Sequence, residues 1–399
     1  NNLSSLILGK GLQTIEKFVF GDNQLTVLDL GSNVSVIKYY AFGNNQLTDL
    51  NITSSVREIE TNAFINNPLE RLSFDDDITS IGAGAFRNYQ LKSVNLPDSL
   101  KTIGVSAFSG NQIEDLNLPN GLSSIGGSAF DSNQLSEINI PDSVNELGNS
   151  VFSRNLLTIV TLGDGITDIP PFLFKDNLLS TIAISGSVKT IGTSAFENNK
   201  LTEIIISDNV TEIGEKAFFR NEISSLTVGN SVTDIGSFTF ASNELNSLIL
   251  SENINSIGEG AFYGNSLINL SIPDSVDFID DRAFEANELS RVVFYGDRPD
   301  FGGDPFSDNP LTEIMWCGPF SSWRGQPLIG VIEPVMCYDN SFRYSVENDG
   351  IRLYECVNEC PIKLIIPPYI NNQAVTAIGY NYWSEGFRES GLTNVQLPN

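Results

Sequence analysis

The chain has 399 residues, too many for one ordinary globular core, and 41% of them are hydrophobic, which excludes a disordered polymer. Lys plus Arg number 22 against 49 Asp plus Glu, a net charge of −27, so the chain repels nucleic acid and anionic membranes. There is no histidine, which excludes Ser-His-Asp and Cys-His catalysis and every His-ligated metal site. No run of 18 apolar residues occurs, so no insertion into a membrane is expected. The acidity serves solubility, or it favours divalent cations and basic partners.

From the first residues the sequence repeats. A phenylalanine recurs at Phe20, Phe42, Phe64 and onward to Phe306, fourteen copies at a constant spacing of 22 residues. So strict a period requires a solenoid, in which each coil stacks on a near-identical neighbour. The opening NNLSSLILGK already reads as mid-pattern, so any export signal is expected upstream of it.

Within each coil the positions five, eight and ten after the phenylalanine are apolar, as in Leu25, Leu28 and Leu30. The last two are two apart and share one face of a short strand, so stacked coils predict a parallel sheet. Before the phenylalanine runs Ile-Gly-x-x-Ala-Phe, whose apolar spacing suits one tight helical or 3-10 turn packed inward on the opposite side. Glycine stands four before the phenylalanine in nine of fourteen copies, where the backbone is expected to bend. Pro-Asp-Ser, at Pro97 to Ser99 and Pro141 to Ser143, is a turn that ends the strand. Asparagine follows the phenylalanine by three in thirteen copies, with Tyr89 the exception. Such a column predicts an inward ladder that satisfies backbone groups of adjacent coils; surface amides for sugar are the alternative.

Leu-x-x-Leu-x-Leu with this period resembles the leucine-rich repeat, and Pro-Asp-Ser-Val-x-x-Ile-Gly-x-x-Ala-Phe-x-x-Asn is similar to the BspA-like, or Treponema-type, variant. The likeness covers residues 1–316. It implies an α/β repeat solenoid: a right-handed superhelix with one parallel β-sheet and short helical or 3-10 turns opposite. It also implies a secreted or cell-surface protein engaged in adhesion and in binding other proteins.

The sheet face not buried exposes the residues seven and nine after each phenylalanine. Asp49, Asn51, Asn95, Asp115, Asn117, Glu137 and Asn139 make its first half polar and acidic. Ile159, Ile205, Ile249, Val293 and Met315 make the second half apolar. These are the candidate ligand-binding residues; the competing reading is that β-branched residues suit strands wherever they point. Asp75 to Asp77, Asp280 with Asp281, and Asp297, Asp300 and Asp304 are where calcium would bind, or are solvated turns. The paired carboxylates Asp115 and Glu137 raise glycoside hydrolysis, but such a site would break the repeat, and none of the fourteen coils is interrupted. No catalytic motif or cofactor site is present, so the chain reads as a binding module rather than an enzyme. Its partner reads as a protein ligand or cell-surface receptor, with a glycan or a spacer role as alternatives.

After Trp316 the period fails. Residues 317–340 read as a cap over the apolar end of the stack, with Cys317 and Cys337 flanking it and Cys356 and Cys360 a second pair. Two disulfides would place the chain outside the cytoplasm; a four-cysteine metal site is the rival, with spacing unlike the common knuckles. Residues 341–399 predict a hairpin about Asn348-Asp349-Gly350 and then the start of a second array.

Overall fold

A computed structural model describes residues 1–316 apart from 88–89 and 297–298, and beyond them the backbone of short strands alone. The fourteen phenylalanines form one inner column. Successive rings are stacked, with centroids from 5.2 to 6.0 Å apart and planes within 1 to 22° of parallel. Rings so spaced are offset rather than eclipsed, the arrangement that aromatic quadrupoles favour. From Phe42 to Phe284 each ring is fully buried.

The predicted asparagine ladder is present and runs beside this column. Asn45 donates its amide to the carbonyls of Phe20 and Phe42, and its Oδ1 accepts the Leu25 N–H, at 2.9 to 3.0 Å. One side chain thus satisfies backbone groups of two coils that no strand reaches. The pattern recurs at Asn111, Asn133, Asn155 and onward to Asn309. At the coil where the sequence has Tyr89, which lies outside the described residues, the Leu69 N–H turns instead to the carbonyl of Asn67 at 2.8 Å.

The helical or 3-10 turns expected opposite the sheet are absent; among the described residues no helix forms. A helix would consume its N–H groups internally, whereas here alternate ones bond the next coil. Ser106, Phe108 and Gly110 donate to the carbonyls of Gly127, Ala129 and Asp131, all at 2.9 Å. To aim alternate groups along the stack, the residues two before and two after most of the phenylalanines turn left-handed, as Ser128 (φ 56°) and Ser132 (φ 57°) do. That conformation costs a non-glycine residue about 1–2 kcal/mol, which the inter-coil bonds offset.

The Ile-Gly segment forms a second parallel sheet on the back of the coils. Seven two-residue strands, from Thr14–Ile15 to Glu146–Leu147, pair in order, then three from Asp168–Ile169 and four from Asp234–Ile235. Its glycines stand between the strand and the turn that follows, tight against the coil beneath. A Cβ on Gly214 would lie 2.5 Å from the Thr193 nitrogen of the coil beneath, so glycine permits close backbone approach.

The front sheet is not the single uninterrupted ribbon that the pattern predicts. Its three- and four-residue strands pair in separate groups, among them Asp115–Asn117 with Ser93–Asn95 and Glu137–Asn139 with Ile159–Thr161. Residues 181–183 and 247–249 form no strand. The Pro-Asp-Ser turns follow as expected, with Leu100 N–H bonded to Pro97 O at 3.1 Å.

Beyond residue 316, Val335–Met336 pairs parallel beside Met315 and Trp316. Phe342–Glu347 pairs antiparallel with Gly350–Cys356, the expected hairpin strands. The expected cap and the Cys317, Cys337 and Cys360 pairings lie outside the described residues, as does the side chain of Cys356.

Candidate functional site

In the first half of the array the front positions seven and nine after the phenylalanine point outward, because the buried residue eight after it lies between them. Asp115, Leu116 and Asn117 alternate exposed, buried, exposed; so do Glu137, Ile138 and Asn139. Asp49, Asn51 and Asn95 are exposed in the same way. The polar half of the candidate site is therefore assembled as the spacing predicts, in a row across neighbouring coils. Within it Asp49 pairs with Arg71 of the next coil, and the guanidinium holds the Asp49 carboxyl below its ordinary pKa. Ser73 donates to Asn51 at 2.7 Å.

In the second half Ile159, Ile205 and Ile249 are 59%, 69% and 84% exposed. Exposed Leu156 and Leu178, four after their phenylalanines, stand on the coils of Phe152 and Phe174; Leu156 shares its coil with Ile159. Their column is polar in other coils, as at Gln24 and Gln46, so the repeat pattern carries no signal for them. Ile249 sits on one of the two coils without a front strand, so its exposure does not reflect a demand of strand packing.

Two expected members are not open. Val293 is half-buried, and Met315 is only 2% exposed. The Arg291 guanidinium lies against the Met315 sulfur, and Val335–Met336 adds a further strand beside it. Met315 is therefore covered rather than open.

The Asp-rich turns act locally. Asp75 accepts the Ser54 N–H at 3.1 Å, and Asp281 accepts that of Asp304 at 2.9 Å. Among the described residues no three His, Cys, Asp or Glu side chains come together to hold a metal ion; Asp297 lies outside them. Nor is any helix among them long and apolar enough to cross a membrane.

A leucine-rich repeat protein from Bacteroides ovatus is 26% identical, with a TM-score of 0.58 over 79% of this chain and 89% of that one. The pneumococcal vaccine antigen PcpA is 20% identical, with a TM-score of 0.46 over 84% of this chain and 88% of its own. A leucine-rich cell-surface protein from Faecalibacterium prausnitzii is 21% identical, with a TM-score of 0.41 over 79% and 93%. A search of curated proteins finds no match. The model of the BspA-type leucine-rich repeat region matches overlapping stretches that run from residue 1 to residue 324. With the phenylalanine column and its asparagine ladder in place across that span, the chain belongs to the BspA-type leucine-rich repeat family.

Proposed function

We propose that this chain is a non-catalytic extracellular binding module that takes a protein ligand on its front face. The observation that carries the reading is the exposure of Ile159, Ile205 and Ile249, three large apolar side chains standing out on the second half of the front face. Exposed apolar side chains gathered on one face mark contact sites, and solenoids bind through such extended faces. Glu137, opposite Ile159, and Glu203, on the strand of Ile205, flank them, so the partner presents basic groups around an apolar centre. The front columns carry no aromatic ring on which a sugar would stack, which favours protein over glycan. Family likeness supports a place outside the cell. Parallel pairing of Lys363–Ile365 with Asn394–Gln396 supports residues 341–399 as the start of a second array.

The test is capture from cell-surface extracts by the immobilised chain, run beside a glycan array. A protein retained by the wild type and lost with Ile205→Asp plus Ile249→Asp supports the reading. Equal retention by both, or binding only to glycans, overturns it.

A further inference from the structure

The back sheet has a gap that the front-face reading does not use. At the junction before it, Asn145 and Glu146 both donate to the Ser123 carbonyl at 3.1 and 3.2 Å, and Gly148 to that of Ile125 at 2.8 Å. Between Glu146–Leu147 and Asp168–Ile169 the ladder stops. Pro170 stands where glycine usually donates, so that N–H does not exist. No backbone hydrogen bond joins Thr167 or Asp168 to the Asn145 or Leu147 carbonyls.

Packing also differs at this coil. The residue before the column phenylalanine is alanine in most coils but Leu173 here, and it is fully buried. The phenylalanine spacing widens to 5.9 Å from Phe130 to Phe152 and to 6.0 Å from Phe152 to Phe174. At the back sheet's other break, before Asp234–Ile235, the buried Thr239 stands in that column, and the phenylalanine spacing is an ordinary 5.4 Å.

The gap is held open rather than frayed. On one flank Ser150 donates to Pro171 O at 3.0 Å; on the other the Asp164 N–H bonds the Asp142 carboxylate at 3.0 Å. Asp168 is fixed from two sides, by the Thr167 and Thr190 hydroxyls at 2.7 and 2.5 Å. Asp234, at the other break, is gripped the same way by Thr233 and Ser256. The result is a cleft of about 510 Å³ with Ile125, Leu147 and Ile166 along its floor and Asn145, Glu146 and Asp168 at its rim.

We infer that this cleft receives an extended peptide segment carrying a basic side chain, docked parallel to the two strand edges. The Asn145 and Leu147 carbonyls supply acceptors on one edge, and the Thr167 and Asp168 amides supply donors on the other. These are complementary to one strand's backbone and to little else, as in recognition by strand addition. The apolar floor takes one side chain, while Glu146 and Asp168 favour a cation above it, with Lys189 of the next coil as the opposing charge.

The probe is acetyl-Val-Lys-Val-Lys-Val-amide, titrated into the isotope-labelled full chain. Thr167 and Asp168 amides should exchange with solvent at least tenfold faster than those of Asn145 and Glu146, then slow and shift as peptide is added. Pro170→Gly with Leu173→Ala gives the coil the residues that the next coil carries at Gly192 and Ala195; it should weaken peptide binding at least tenfold and leave front-face capture intact. A peptide N-methylated at alternate residues should not bind. Protected Thr167 and Asp168 amides in the free protein, absence of peptide-induced shifts at these amides, or equal binding by the closed variant or the methylated peptide would each overturn the inference.

Discussion

Asn133 donates its side-chain amide to the carbonyl of Phe108, in the coil before its own, at 3.0 Å. Its Oδ1 receives the Ile113 N–H at the same distance. Removing the amide strands a buried donor and leaves the Phe130 carbonyl without it as well. Asn133→Ala should destabilise the chain by about 3 kcal/mol, at roughly 1–3 kcal/mol for each unmet buried group. Chemical denaturation measures the loss, and faster amide exchange at Ile113 localises it.

Position 89 offers the converse experiment. Leu69, whose counterparts Leu47 and Leu91 are bonded by ladder asparagines, uses its own coil's Asn67 carbonyl. Tyr89→Asn should give it the ladder bond and raise stability by about 1 kcal/mol, the usual net worth of such a bond. Calorimetry would show a higher melting temperature; a lower one would mean the ring makes contacts worth more.

Enlarging another residue in the alanine column should reproduce the break at Leu173. Ala129 is fully buried, and the back strands Thr102–Ile103 and Ser124–Ile125 pair beside its coil. Ala129→Leu is expected to cost about 2 kcal/mol by overpacking and to speed amide exchange at Ser123, Ser124 and Gly126. Unchanged exchange there would sever the link between side-chain volume and sheet continuity.

Front-face and buried positions should separate cleanly. Ile205→Asp and Ile249→Asp are surface changes and should alter stability by no more than about 0.5 kcal/mol. Met315→Asp places a carboxylate in the interior and should cost several times as much. Thermal melts of the variants distinguish them.

Acid should act through held carboxylates. Hydrogen bonding from Arg282 lowers the Glu285 pKa, and hydrogen bonds from Thr190 and Thr167 lower that of Asp168. A lowered folded-state value contributes stability that is complete above the ordinary carboxylate range and is lost as pH falls through the folded value. Below about pH 4, where free carboxyls protonate, the wild type should lose stability faster than Glu285→Gln or Asp168→Asn. Melting temperatures across that range test the sign.

The period, the phenylalanine column and the asparagine ladder were legible because each depends on a single residue recurring at one spacing. The missing helix was not. Ile and Phe five apart fit a helical turn equally well, and only the αL backbone at Ser128 and Ser132, residues that rarely adopt it, decides otherwise. The close approach at Gly214 was hidden for a related reason: it is set by a neighbouring backbone that the local sequence does not contain. Exposure of Ile205 followed from strand alternation, whereas burial of Met315 depends on Arg291 and on a strand twenty residues away. The cleft had a visible signal, the Pro170 and Leu173 departures from Gly and Ala, which is read only by asking what the column expects.

The open junction at Pro170 also bears on mechanics. A coil stack stretched from its ends gives way where the fewest bonds tie one turn to the next, and here one ladder is missing while two flanks hold. Under load the array should part first at this junction and at the like one before Asp234–Ile235, leaving stiff rods joined by short tethers. A molecule anchored at one end and gripped at the other would then lengthen at fixed points without unravelling.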